Sequence, residues 1–201
     1  MIAGLFILYT VSNESSFNDF SGLNKITILY GVTVVYLGPG SMMMHGTNTE
    51  WGGWADNLSM VMYIIIPWLY NLYRMSDWSV NTFLNVYVLI VIFYAVMRGL
   101  FGHGMGIGLD LFGVSIGLWV ISEFLYRFWS PSMRFISGFV GFLVMMIFGI
   151  FPSEVFENID QYWWIIFFWL PGLLANKKPN RSRTYIWYFA GMTAYIAAWL
   201  I

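Results

Sequence analysis

Residues 80–97 read VNTFLNVYVLIVIFYAVM, eighteen consecutive positions without a charged side chain. About 20 predominantly apolar residues carry an α-helix across the hydrocarbon core of a bilayer. At that depth only helices and closed barrels satisfy every backbone N–H and C=O. The stretch therefore predicts a membrane helix, and the same reading extends outward to seven further apolar runs: Met1–Ser12 (partial), Ile26–His45, Ala55–Tyr73, Gly106–Tyr126, Phe135–Phe151, Gln161–Ala175 and Thr184–Ile201. The run at 161–175 is short and holds Pro171, so it is expected either to span or to re-enter on one side, neighbours satisfying the carbonyl that proline frees. The fold class expected is all-α: one polytopic transmembrane helix bundle over residues 1–201, with seven or eight apolar segments.

Composition agrees. Charged residues are 9% of the 201 and hydrophobic residues 59%, against roughly 25% charged in a soluble domain. Such a chain cannot cover a water-facing surface. Aromatic residues are 21%, with 11 Trp and 13 Tyr, as two membrane interfaces would use. A net charge of −1 argues against a nucleic-acid partner, and the absence of Cys removes disulfides and thiolate sites. The N-terminal run has neither a basic leader nor a small-residue cleavage site, so it does not read as a signal peptide. Both ends break off inside apolar runs, the pattern expected of a longer chain represented in part.

Charge tests the segmentation. If the runs alternate in direction, Lys25, Arg74, Arg127, Arg134, Lys177, Lys178, Arg181 and Arg183 fall at one end of the bundle, eight of the nine basic residues, and only Arg98 at the other. The second end carries Glu50, Glu154, Glu157 and Asp160 instead. Basic residues accumulate on the cytoplasmic side of membrane proteins. The loops at 13–24 and 176–183 are accordingly expected there, and the 47–53 turn in the opposite compartment.

Chemistry concentrates where runs two and three meet: Gly38-Pro39-Gly40-Ser41-Met42-Met43-Met44-His45, a Gly-rich turn, then Trp54-Ala55-Asp56-Asn57-Leu58-Ser59-Met60. Ser41 and His45 are four apart, hence on one helix face. The turn can return Asp56 beside them, setting a hydroxyl, an imidazole and a carboxylate at one depth, where ionisable groups are functional candidates. The bland alternative is a polar cluster that knits two helices by hydrogen bonds.

This Ser-x3-His-x10-Asp pattern, with Ser59-Met60 following, resembles the alkaline ceramidase family, part of the superfamily that includes the adiponectin-type receptors. The resemblance is most specific over Gly38–Met60, weaker over Gly4-Leu5-Phe6-Ile7, and elsewhere only one of apolar helices. It implies an intramembrane zinc-dependent amide hydrolase acting on a lipid, with His45 a zinc ligand, Asp56 the acid/base and Ser41 the supporting hydroxyl. The family draws two more zinc ligands from a His-x3-His on its last helix. No such pair occurs here, and His103 is the only other histidine, whereas catalytic zinc normally takes three protein ligands.

The alternative expectation is a non-catalytic membrane subunit that keeps the fold and packs in a larger complex; a receptor-like member is a third. Among the remaining polar residues, His103 in Phe101-Gly102-His103-Gly104 reads as a solvated turn residue or a substitute ligand, Asp110 as a cavity residue or a local cap, and Glu123 with Arg127 as an i, i+4 ion pair. Haem or chlorophyll ligation by either His has nothing further in its favour. The Met42–Met44 run and the aromatic 162–169 stretch read as packing or lipid-facing positions.

Overall fold

The computed structural model describes residues 1–13 and 24–179. The 14–23 loop and the eighth expected run lie outside the described residues. Every regular element among the described residues is helical. In order these are α1 (Ile2–Asn13), α2 (Asn24–Thr47), α3 (Glu50–Met75), α4 (Val80–Phe101), α5 (Leu111–Arg127), α6 (Met133–Ile147), α7 (Pro152–Glu157), α8 (Ile159–Tyr162) and α9 (Leu170–Leu174), with short 3-10 stretches at His103–Gly106 and Trp163–Trp169. Two helices, Lys25–Thr47 and Val80–Phe101, are long and apolar enough by themselves to cross a membrane.

Glycines set the register of the first three helices. A Cβ on Gly4 would meet the backbone of Gly31 and Val35, and one on Gly38 would meet Met1, so α1 lies antiparallel to α2. Gly40 faces Ala55 and Ser59 while Gly52 faces Met43 and Thr47, so α3 returns antiparallel along α2. A tight turn joins them. Asn48 takes a left-handed φ of 49°, and the Thr49 hydroxyl caps α3 by accepting from Gly52 N at 3.1 Å. That cap starts α3 five residues ahead of the expected Ala55, which puts Asp56 in its second turn.

α3 is the axis of the bundle. Val61, Ile65, Leu69, Leu72 and Met75 are fully buried along it, and it packs against α2, α4, α5 and α9. Pro67 lies inside it. The expected run at 106–126 becomes an α-helix only at Leu111, because Gly102, Gly104, Met105, Gly106 and Gly108 all take positive φ before Asp110 caps α5. Glycine adopts that region freely. Met105 adopts it with its side chain buried in the core, which pins the turn.

Run seven is broken rather than continuous. Its α8, 3-10 and α9 pieces run antiparallel to α6: Phe168 lies in notches at Gly117 and Gly141, Trp169 against Gly138, and Gly172 against the Arg134 carbonyl. In the 3-10 stretch side chains three apart eclipse, and Ile165, Phe168 and Pro171 form the buried ridge. The tighter winding also lengthens the segment. Residues 159–174 would cover about 24 Å as continuous α-helix, and the seven 3-10 residues raise that to about 28 Å. Trp163 Nε1 donates to Ile107 O at one end, and Ser76 Oγ donates to Leu174 O at the other. The segment thus runs the length of the bundle and does not turn back.

The two ends differ in chemistry. At one, Asn176 N and Lys177 N both donate to Met75 O (2.7 and 3.0 Å), Arg134 Nε donates to Gly172 O at 3.1 Å, and Lys177 pairs with Asp77 at 2.8 Å. At the other, Trp54 Nε1 donates to Ala95 O at 2.8 Å, stacked on Trp51, near the start of α3 at Glu50.

Candidate functional site

The turn between α2 and α3 brings Ser41 and Asp56 to similar depth, since their neighbours Gly40 and Ala55 touch. Direction separates the set. Gly40, Met43 and Thr47 mark the side of α2 that faces α3. At about 100° per residue, His45 falls about 170° from that side and Ser41 about 130° from it. On α3, Gly52, Ala55 and Ser59 mark the side facing α2, and Asp56 lies on its flank, about 70° away. His45 is exposed; Ser41 and Asp56 are half-buried. No hydrogen bond among the described residues joins the three side chains. The side-chain hydrogen bonds here are made by their neighbours, each to the backbone of its own helix. Thr47 Oγ1 donates to Met43 O at 2.6 Å, Ser59 Oγ to Asp56 O at 2.7 Å, and Asn57 Nδ2 to Gly53 O at 2.8 Å.

A zinc ion does not fit this arrangement. The chain has two His and no Cys, and among the described residues no group of three or more His, Cys, Asp and Glu side chains comes together in a way that could hold a metal. His45 is turned to the outside of the hairpin, and Asp56 lies on the other helix. The remaining candidates are accounted for locally. Asp110 accepts from Phe112 N at 3.1 Å as the N-cap of α5, and His103 is exposed in the Gly-rich turn.

A second polar cluster, which sequence reasoning did not find, is buried between α3 and α5. Asn71 is fully buried, and its amide donates to Ser122 Oγ at 2.9 Å and to Glu123 Oε1 at 2.8 Å. Ser122 Oγ donates to Trp119 O at 2.9 Å. Beside it the Arg74 guanidinium lies over the rings of Tyr70 and Tyr126, 5.8 and 5.3 Å from their centroids. Glu123 is therefore held across helices by Asn71, a partner that the i, i+4 expectation for Arg127 did not include. The only advance signal was Asn71 itself, an amide in the apolar run Ile64–Leu72.

At the basic end, Asp77 closes a tether. Its carboxylate accepts from Lys177 Nζ at 2.8 Å and from Asn176 Nδ2 at 3.0 Å. The Lys177 hydrogen bond first, then that of Asn176, hold Asp77 below its ordinary carboxylate value.

Comparison with protein-family models, with curated proteins and with solved structures finds no match to the chain.

Proposed function

We propose that the chain is a multi-pass integral membrane protein, with its basic end cytoplasmic and the α2–α3 turn facing the opposite compartment, and that it serves as a non-catalytic membrane subunit packing in a larger assembly. What carries the membrane part is the agreement of charge with architecture. Arg74, Arg134 and Lys177 gather where α3 ends, α6 starts and α9 ends, and Glu50 lies at the opposite end of α3. Outward faces are apolar: Leu89, Ile92, Val96 and Leu100 on α4, and Phe135, Phe139 and Leu143 on α6, are exposed, as contact with acyl chains or neighbouring membrane helices requires. α3, too polar in its first turns to pass as a span alone, is wrapped by its neighbours. The observation that favours the subunit over an enzyme is the outward direction of His45.

The lipid amide hydrolase remains the second reading. It rests on the resemblance over Gly38–Met60 and on Ser41 and Asp56 sharing one depth. Two measurements separate the readings. Alkaline carbonate should leave the chain in the membrane pellet and detergent should release it; release by carbonate alone would end the membrane reading. Ceramide hydrolysis and zinc content are then compared between the native chain and His45→Ala. The subunit reading expects no difference in either, whereas hydrolysis and zinc that both vanish on His45→Ala would establish the hydrolase.

A further inference from the structure

Arg98 is the one basic residue that the charge pattern leaves at the acidic end, and neither reading above uses it. It lies in the last turn of α4, four residues after Tyr94 and so on the same face, which is the interior one: Tyr87 and Tyr94 are both buried there. The Arg98 side chain is half-buried, and its Nε is buried without a hydrogen-bond partner. A guanidinium taken partly out of water without a counter-ion is costly. Asp110 lies near enough for its charge to reach the Tyr94 hydroxyl, where it opposes that of Arg98. It forms no ion pair with Arg98 among the described residues, and its carboxylate is engaged by Phe112 N at the start of α5. Directly after α4 comes the Gly102–Gly108 turn, where four glycines at positive φ keep side chains off the backbone. α4 has 22 residues, about 33 Å of helix against a hydrocarbon core of about 30 Å. On the membrane reading above, the last turn of α4 therefore sits at headgroup depth.

We propose that Arg98, with the Tyr94 hydroxyl beside it, binds the phosphate of a lipid headgroup in the non-cytoplasmic leaflet, beneath the Gly102–Gly108 turn. The planar guanidinium offers paired N–H donors to two phosphate oxygens. The phosphate supplies the direct ion pair that Asp110, held at the helix cap, does not make with Arg98 among the described residues. Asp110 acts against the ligand through like charge.

The test uses the full chain in detergent micelles, titrated with dioctanoyl phosphatidic acid, dioctanoylglycerol and inorganic phosphate. Intrinsic fluorescence reports binding, because Trp54 packs within contact distance of Gly99, the residue after Arg98. Phosphatidic acid is expected to bind saturably and dioctanoylglycerol not to bind. Inorganic phosphate should compete only weakly; equal potency of inorganic phosphate would overturn the lipid source. Arg98→Gln should weaken phosphatidic acid at least tenfold, about what loss of one charge-assisted hydrogen bond costs. Arg98→Lys should keep part of the affinity, and Asp110→Asn should strengthen it. Unchanged binding in Arg98→Gln would overturn the proposal. So would loss of binding in Asp110→Asn, since Arg98 would then be acting as the structural partner of Asp110. If Arg98→Gln does not fold, the opposite shifts expected of Arg98→Lys and Asp110→Asn decide the matter.

Discussion

The bundle holds two polar clusters, and they are built in opposite ways. Ser41, His45 and Asp56 are close in sequence, conspicuous in an apolar chain, and set around the outside of the α2–α3 hairpin, with His45 exposed. Asn71, Ser122 and Glu123 come from helices far apart in the chain, and an amide there spends both its N–H donors on two facing side chains. The first cluster has spacing without shared direction; the second has shared direction without spacing. In an apolar interior a polar side chain stabilises by being satisfied. On that criterion the inner cluster holds the fold, and the outer one is the freer to change.

The largest contrast should come from Asn71→Ala. It removes the donor to Ser122 and to Glu123 at once, two hydrogen bonds of which one is to a carboxylate, at a cost of about 2–3 kcal/mol. Thermal unfolding of the detergent-purified protein measures it, and a loss under about 0.5 kcal/mol would remove the distinction between the clusters. A smaller effect sharpens the same point. A double-mutant cycle of Asn71→Ala with Glu123→Gln should return a coupling of about 1 kcal/mol, within the range found between membrane helices. Strict additivity would mean that the 2.8 Å contact contributes nothing.

The tether at the basic end gives a weaker, pH-dependent contrast. Because Asp77 is held below its ordinary value when folded, its contribution is complete above the ordinary carboxylate range and is lost as pH falls through the depressed folded value. Protection of the Asn176 and Lys177 amides, whose N–H groups both donate to Met75 O, measured against their intrinsic exchange rate at each pH, should therefore fall on acidification in the native protein. In Asp77→Asn protection should be low at every pH, and native protection that does not change across that range would refute the tether. The smallest effects belong to the outer cluster. Ser41→Ala and His45→Ala should each shift stability by less than about 0.5 kcal/mol, as substitutions away from buried networks do.

Much of the fold was legible because charge and hydropathy are read one residue at a time. α4 begins at the expected Val80, and Arg74, Arg134 and Lys177 meet at the end of the bundle that alternation assigned to them. What the pattern missed depends on backbone winding and on contacts across the chain. The 3-10 stretch at Trp163–Trp169 leaves hydropathy unchanged but lengthens the segment, so a short run holding Pro171 extends end to end. The start of α3 moved forward because Thr49 caps it, and the start of α5 moved back because the glycines before Asp110 take left-handed φ. At the candidate site, i, i+4 spacing correctly set Ser41 and His45 near one face of α2. Which way that face points is decided by Gly40, Met43 and Thr47 packing on α3, and this no local pattern contains. The partners of Asn71 were invisible for the same reason, lying about fifty positions away.

The central claim is that the charge asymmetry is a membrane orientation. The chain has no Cys of its own, so single cysteines can be placed at exposed positions on the two ends: Glu50→Cys and Glu154→Cys at the acidic end, Ser132→Cys at the basic end. In intact cells a membrane-impermeant maleimide should label the first two, and Ser132→Cys should react only after the membrane is opened. Labelling of Glu50→Cys and Ser132→Cys from the same side would contradict the account, because the three helices between them, α3, α4 and α5, could not then all cross.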